Sequence, residues 1–93
     1  MTEDDHEIAW TAPARRALQG LPEKVATAVI EFLYASLASN PHRVGKPLQL
    51  GMEGLHSARR GDYRVIYRID DPRRRVEILA IEHRSDVYRT RDR

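Results

Sequence analysis

Arg59, Arg60, Arg64 and Arg68 fall within ten residues, on both sides of the dipeptide Gly61-Asp62. The run from Gly54 to Tyr67, GLHSARRGDYRVIY, reads as two short strands joined by a two-residue turn, since glycine accepts the positive φ of tight hairpins. Like charges facing across a strand pair repel. A hairpin carrying this many guanidinium groups therefore points to an anion. Guanidinium is permanently charged and matches phosphate in a bidentate fashion. The chemistry on offer is phosphate binding and stabilisation of charge developing on phosphorus.

A second cluster follows in His83, Arg84 and Tyr88. Histidine exchanges protons near neutrality, arginine stabilises a charged phosphorane, and tyrosine stacks on a base or donates a proton. One helical turn would align Arg84 with Tyr88, four residues apart. Singly, each has an ordinary alternative: a core-capping tyrosine, a strand-end histidine. The hairpin arginines likewise have one, a solvated face with salt bridges to Asp62, Asp70 and Glu77. The argument for a site rests on the two clusters occurring together.

Other chemistries are disfavoured. There is no cysteine, and His6, His42, His56 and His83 are widely spaced, without a helical pair or facial-triad pattern. Gly51 and Gly54 lack the spacing of a phosphate loop and precede no helix. No cofactor is implied.

The elements that must position these residues follow from pattern. His6–Trp10 reads as a strand. Thr11 is a helix N-cap with Pro13 in the first turn, over a helix Ala12–Gln19 anchored by Leu18 and ended by Gly20. Pro22 opens a second helix with Glu23 in its first turn. Its apolar stripe is Val25, Val29, Phe32, Leu33 and Leu37, and Asn40-Pro41 ends it. Residues 42–53 read as a loop carrying Arg43 and Lys46. Leu55–Arg60 and Tyr63–Ile69 are the hairpin strands, and Arg75–Glu82 is the last strand, apolar on both faces and so central in the sheet. Along the strand Tyr63–Ile69, alternation sets Tyr63, Val65 and Tyr67 toward the helices and Arg64 and Arg68 on the open face. Whether Leu55, Ser57 and Arg59 or His56, Ala58 and Arg60 join Arg64 depends on register. The order βααβββ predicts an α+β fold, two helices packed on one face of a small, mostly antiparallel four-stranded sheet.

Ninety-three residues make a single domain, here spanning residues 1–93. No run approaches a membrane span, and the acidic N-terminus does not resemble a signal peptide. The absence of disulfides is compatible with the cytoplasm, the expected compartment. Charge is uneven: residues 1–41 hold 3 basic and 6 acidic side chains, residues 42–93 hold 13 and 8. The second part is thus the anion-binding candidate. Arginine outnumbers lysine fourteen to two, a ratio that a G+C-rich genome would also produce.

The run GLHSARRGDYRVIY, followed by VEILAIEHRSDVY (Val76–Tyr88), resembles the RelE/ParE superfamily of bacterial toxins. The likeness extends from Ile8 to Tyr88 and includes the helical pair and the NPHRVGKPL segment at Asn40–Leu48. It is nearest to the RelE branch. That resemblance implies a type II toxin and metal-independent endoribonuclease, an mRNA interferase that enters the ribosomal A site and cuts mRNA by attack of the 2′-hydroxyl on the adjacent phosphate. It implies a neutralising antitoxin of RelB or related type in a hetero-oligomer. It matches the family's phosphate-stabilising arginine to Arg64, and its C-terminal arginine and tyrosine to Arg84 and Tyr88. Two lysines of the best-known members, one of them the family's base, fall near His56 and Ala58, so the resemblance leaves the base to His56 or His83, or to greater reliance on arginine and ribosomal positioning. Lys46, Arg59, Arg60 and Arg68 are expected to contact RNA or the ribosome. An acidic antitoxin is expected on charge grounds, covering the basic sheet face or the long amphipathic helix.

Two other readings stay open at this point. One is a ParE-like inhibitor of DNA gyrase on the same fold. The other is an inactive homologue that retains only its antitoxin-binding role.

Overall fold

A computed structural model describes residues 5–48 and 54–83. Strand β1 (Glu7–Trp10) runs into helix α1 (Ala12–Gln19) through Thr11. The Thr11 hydroxyl accepts from the Ala14 N–H at 3.3 Å and donates to the Ile78 carbonyl at 2.8 Å. One side chain thus caps the helix and ties it to the sheet. Gly20 closes α1, which spans the expected residues, but its fully buried residue is Ala14, with Leu18 only partly buried. Helix α2 (Glu23–Phe32) continues into a π-helical turn, Leu33–Leu37, closed by the Ala38 N–H on the Leu33 carbonyl at 2.8 Å.

A short helix α3 (Pro41–Val44) and a two-residue strand β2 (Lys46–Pro47) follow, in a region expected to be loop throughout. The hairpin is β3 (Leu55–Arg60) and β4 (Tyr63–Asp70), turned at Gly61 with φ 59°. Strand β5 is Arg75–His83. The sheet order is β1-β5-β4-β3-β2, with β1 parallel to β5 and every other pair antiparallel.

The architecture is the expected α+β layering, with one correction: the sheet has five strands, not four. The fifth is β2, whose Lys46 and Pro47 pair with Ser57 and His56. Two residues are too few to show alternation, and a proline normally argues against a strand except at an edge, where this one lies. Strand β5 is paired on both sides, although β4 is the middle strand. Its apolar run has a different cause from burial on both faces. Ile66 pairs with Ala80 and Tyr67 with Ile78, leaving Leu79 as a bulge. The bulge shifts the alternation by one, so the buried positions run Val76, Ile78, Ile81.

The core lies between the helices and one sheet face. Val29, Leu33 and Leu37 meet Val65, Tyr67, Val76 and Ile78, all fully buried. The opposite face carries Arg64, Ile66 and Arg68, of which the arginines are exposed. Among the described residues no helix is long and apolar enough to cross a membrane.

Candidate nucleic-acid interface

Register decides which hairpin arginines act together. Arg59 pairs with Arg64, Ala58 with Val65, and Arg60 with Tyr63. The set that joins Arg64 is therefore Leu55, Ser57 and Arg59. On the next strand outward Lys46 pairs with Ser57, which places it on that same face. Gly45, Lys46, Ser57, Arg59 and Arg64 line one cavity of about 420 Å³. Three cations from three adjacent strands border it, with the Ser57 side chain between them.

Two carboxylates moderate this face. Arg64 Nη1 lies 3.8 Å from Glu82 and Arg68 Nη1 3.8 Å from Glu77, each pair directly across β4 and β5. The alternative of a salt-bridged face is thus partly realised, with Glu82 and Glu77 as the acids. Both pairs are exposed and long, and such pairs contribute about 0.2–1 kcal/mol at most. An incoming phosphate can displace them at little cost.

Arg60 goes to the other face. Its guanidinium carbon stands 5.0 Å from the Phe32 ring centroid, a cation–π arrangement. With Phe32, Tyr63 and His83 it lines a second cavity of about 570 Å³ against α2. Burial raises the Tyr63 phenol above its usual range, and the Arg60 charge partly offsets this. His83 is the cross-strand partner of Tyr63. Neither Arg60 nor His83 shares the cavity of Arg64.

His56 is also on the helix side. Its ring stacks on Tyr67 at 5.5 Å and 23°, with the His42 ring edge-on at 5.9 Å. Desolvation, then the nearby His42 charge, holds the His56 imidazole below its ordinary value. The positions facing Arg64's side on this strand are Ser57 and Arg59 rather than His56 and Ala58. Arg84 and Tyr88, expected to join Arg64, lie outside the described residues.

Two features were missed at the sequence level. Tyr67 is buried under the helices as alternation predicts, but its hydroxyl also donates to the Pro41 carbonyl at 2.7 Å, which the sequence did not indicate. Burial pushes its phenol up to about 12, against a smaller opposing hydrogen bond from the Gly45 N–H. Asp71 gathers two histidines, His42 Nε2 at 2.8 Å and His6 Nε2 at 3.3 Å. Hydrogen bonds from His42 and then His6 hold the Asp71 carboxyl below its ordinary value. Histidines that read as widely spaced thus converge through tertiary structure. Among the described residues, no group of histidines and carboxylates is arranged to hold a metal ion.

Comparison with known proteins identifies the family. Residues 8–88 match the family model described as the ParE toxin of the type II toxin–antitoxin system parDE. The chain is 60% identical over 88 residues to Toxin RelE of Mycobacterium tuberculosis, covering 92% of this chain and 91% of that one. It is 48% identical over 84 residues to Toxin RelG of the same organism, covering 90% and 97%. Among solved structures, it resembles a chain of the Mycobacterium tuberculosis toxin–antitoxin complex RelBE2, with a TM-score of 0.85, 45% identity and coverage of 91% and 98%. On these findings the chain belongs to the ParE toxin family of type II toxin–antitoxin systems, as a toxin of RelE type.

Proposed function

We propose that this toxin is a ribosome-dependent endoribonuclease that cuts mRNA in the A site. In this reading the 2′-oxygen of one nucleotide attacks the adjacent phosphorus. A P–O bond forms, the bond to the 5′-oxygen of the next nucleotide breaks, and a 2′,3′-cyclic phosphate and a 5′-hydroxyl remain. A base takes the 2′-hydroxyl proton, and an acid returns a proton to the leaving oxygen. The negative charge gained by the phosphorane is met by the guanidinium of Arg64, with Arg59 and Lys46 holding flanking phosphates. Arg68 extends the same face along the strand. Arg84 and Tyr88 are assigned the second cation and the group that stacks on the substrate base. No metal takes part in this scheme. His83 lies on the side of Arg60, and His56 packs against Tyr67, so neither is given the role of base here.

The observation that carries this reading is the convergence of Lys46, Arg59 and Arg64 on one cavity. The partner is an antitoxin of RelB type, acidic by complementarity to the basic face, and the toxin acts in the cytoplasm when free of it. Purified toxin on programmed ribosomes is expected to cut the transcript, with Arg64→Ala slower by about a hundredfold or more, the usual cost of removing one transition-state donor. The match to the ParE model favours testing a second reading, gyrase poisoning. Intact transcripts together with loss of supercoiling would decide for that one.

A further inference from the structure

Lys46 sits on a strand of two residues at the sheet edge, one of them a proline without an N–H. So short an edge pairing holds its own position weakly. Other contacts help to place this segment: the Leu48 N–H donates to the Leu55 carbonyl at 2.9 Å, and His42 meets Asp71 at 2.8 Å. A further device lies on the far side of the sheet.

The Tyr67 hydroxyl donates to the Pro41 carbonyl at 2.7 Å, at the start of α3. The same oxygen lies against the backbone of Gly45, immediately before Lys46. One buried phenol is therefore hydrogen-bonded to the start of the segment 41–45 and packed against its end. The fit is close. A side-chain carbon at Gly45 would collide with the Tyr67 hydroxyl and lie 2.7 Å from the Ser57 carbonyl oxygen. The His56 ring, stacked on Tyr67 at 5.5 Å, covers the phenol and limits its tilt. Beyond Gly45 the chain passes the edge of β3, and Lys46 emerges in register with Ser57 on the face of Arg59 and Arg64.

We infer that Tyr67 is a positioning residue, latching residues 41–45 from the helix side so that Lys46 reaches a backbone phosphate of single-stranded RNA on the opposite side. The inference rests on the reading of that face as an RNA site. Tyr67 touches no substrate and acts only through Lys46. Tyr67→Phe leaves the Pro41 carbonyl without its donor and so costs stability as well. The salt slope of binding, read on folded protein, separates the positioning role from that loss.

The test is the salt dependence of binding to a short single-stranded RNA bearing 2′-O-methyl groups, which cannot be cut by 2′-attack. Each phosphate contact to a single strand contributes about 0.7 to the slope of log K against log salt concentration. Lys46→Ala is expected to lower the slope by about that amount. Tyr67→Phe is expected to lower it by most of the same amount, and to add nothing in a Lys46→Ala background. Gly45→Ala, which pushes the segment off β3 from the other side, is expected to reproduce Tyr67→Phe. Circular dichroism checks that each variant is folded. If both Tyr67→Phe and Gly45→Ala leave the slope unchanged, or if Tyr67→Phe lowers it further in the Lys46→Ala background, the latch is overturned. If Arg64→Ala and Lys46→Ala both leave the slope unchanged, the RNA face itself is wrong, and the latch falls with it.

Discussion

Arg59 of β3 and Arg64 of β4 stand directly opposite one another on the sheet face away from the helices. Facing like charges destabilise a strand pair. Here the arrangement is kept on an exposed face, beside a cavity that a third cation also borders. Stability is given up where an anion would be held.

That trade can be measured. Arg59→Glu turns a repulsive pair into an attractive one and is expected to stabilise the protein by about 0.2–1 kcal/mol. The same variant should bind RNA more weakly than wild type. Urea unfolding and an RNA titration read the two quantities, and movement of both in the same direction would contradict the assignment.

Arg60 serves as the contrast. Its neighbour in sequence faces Arg64, but Arg60 lies over Phe32 on the helix side. Arg60→Ala is expected to cost about 0.5–1 kcal/mol of stability through the lost cation–π contact. It should change the salt slope of RNA binding far less than Arg59→Ala does.

Acid should weaken the fold in two stages. The His56 imidazole is held below 6.5, chiefly by burial, so the unfolded chain takes up its proton first. Stability from this group is complete above about pH 6.5 and is lost as pH falls through the folded value. The Asp71 carboxyl is held below 3.8 by hydrogen bonds from His42 and His6. Its contribution is present above that value and disappears at lower pH still. Unfolding midpoints followed against pH should show His56→Gln removing the first stage and Asp71→Asn the second.

The π-helical turn brings Leu33 and Leu37 fully into the core beneath Val65 and Tyr67. Leu33→Ala is expected to destabilise by about 2–5 kcal/mol, the range for emptying a leucine site in a packed core. A loss below 1 kcal/mol in chemical denaturation would mean that this region repacks.

Where local chemistry decided the outcome, it was readable beforehand. Thr11, Pro13 and Gly20 mark α1 to the residue, and Gly61 marks the hairpin turn. Alternation along β4 sorts Tyr63, Val65 and Tyr67 from Arg64 and Arg68 because strand geometry has a period of two. Where the outcome depended on partners distant in the chain, it was not. The pairing that unites Arg59 with Arg64 and sends His56 and Arg60 to the helices is a matter of register. The bulge at Leu79 disguises an ordinary one-sided strand as one buried on both faces. The place of Lys46 on this face depends on a two-residue strand and its pairing with Ser57. The meeting of His6 and His42 at Asp71 leaves no periodic trace at all.

Strand β5 is threaded between β1 and β4, joining the earliest strand in parallel to the hairpin. Until residues 75–83 have been made, β1 has no neighbour and β4 lacks one flank. A nascent toxin therefore cannot assemble its sheet while that stretch is still inside the ribosome producing it. Stalled chains ending before Arg75 should be digested readily by protease, while those with His83 well clear of the exit should resist. Completion of the sheet is thus tied to the emergence of the strand Arg75–His83.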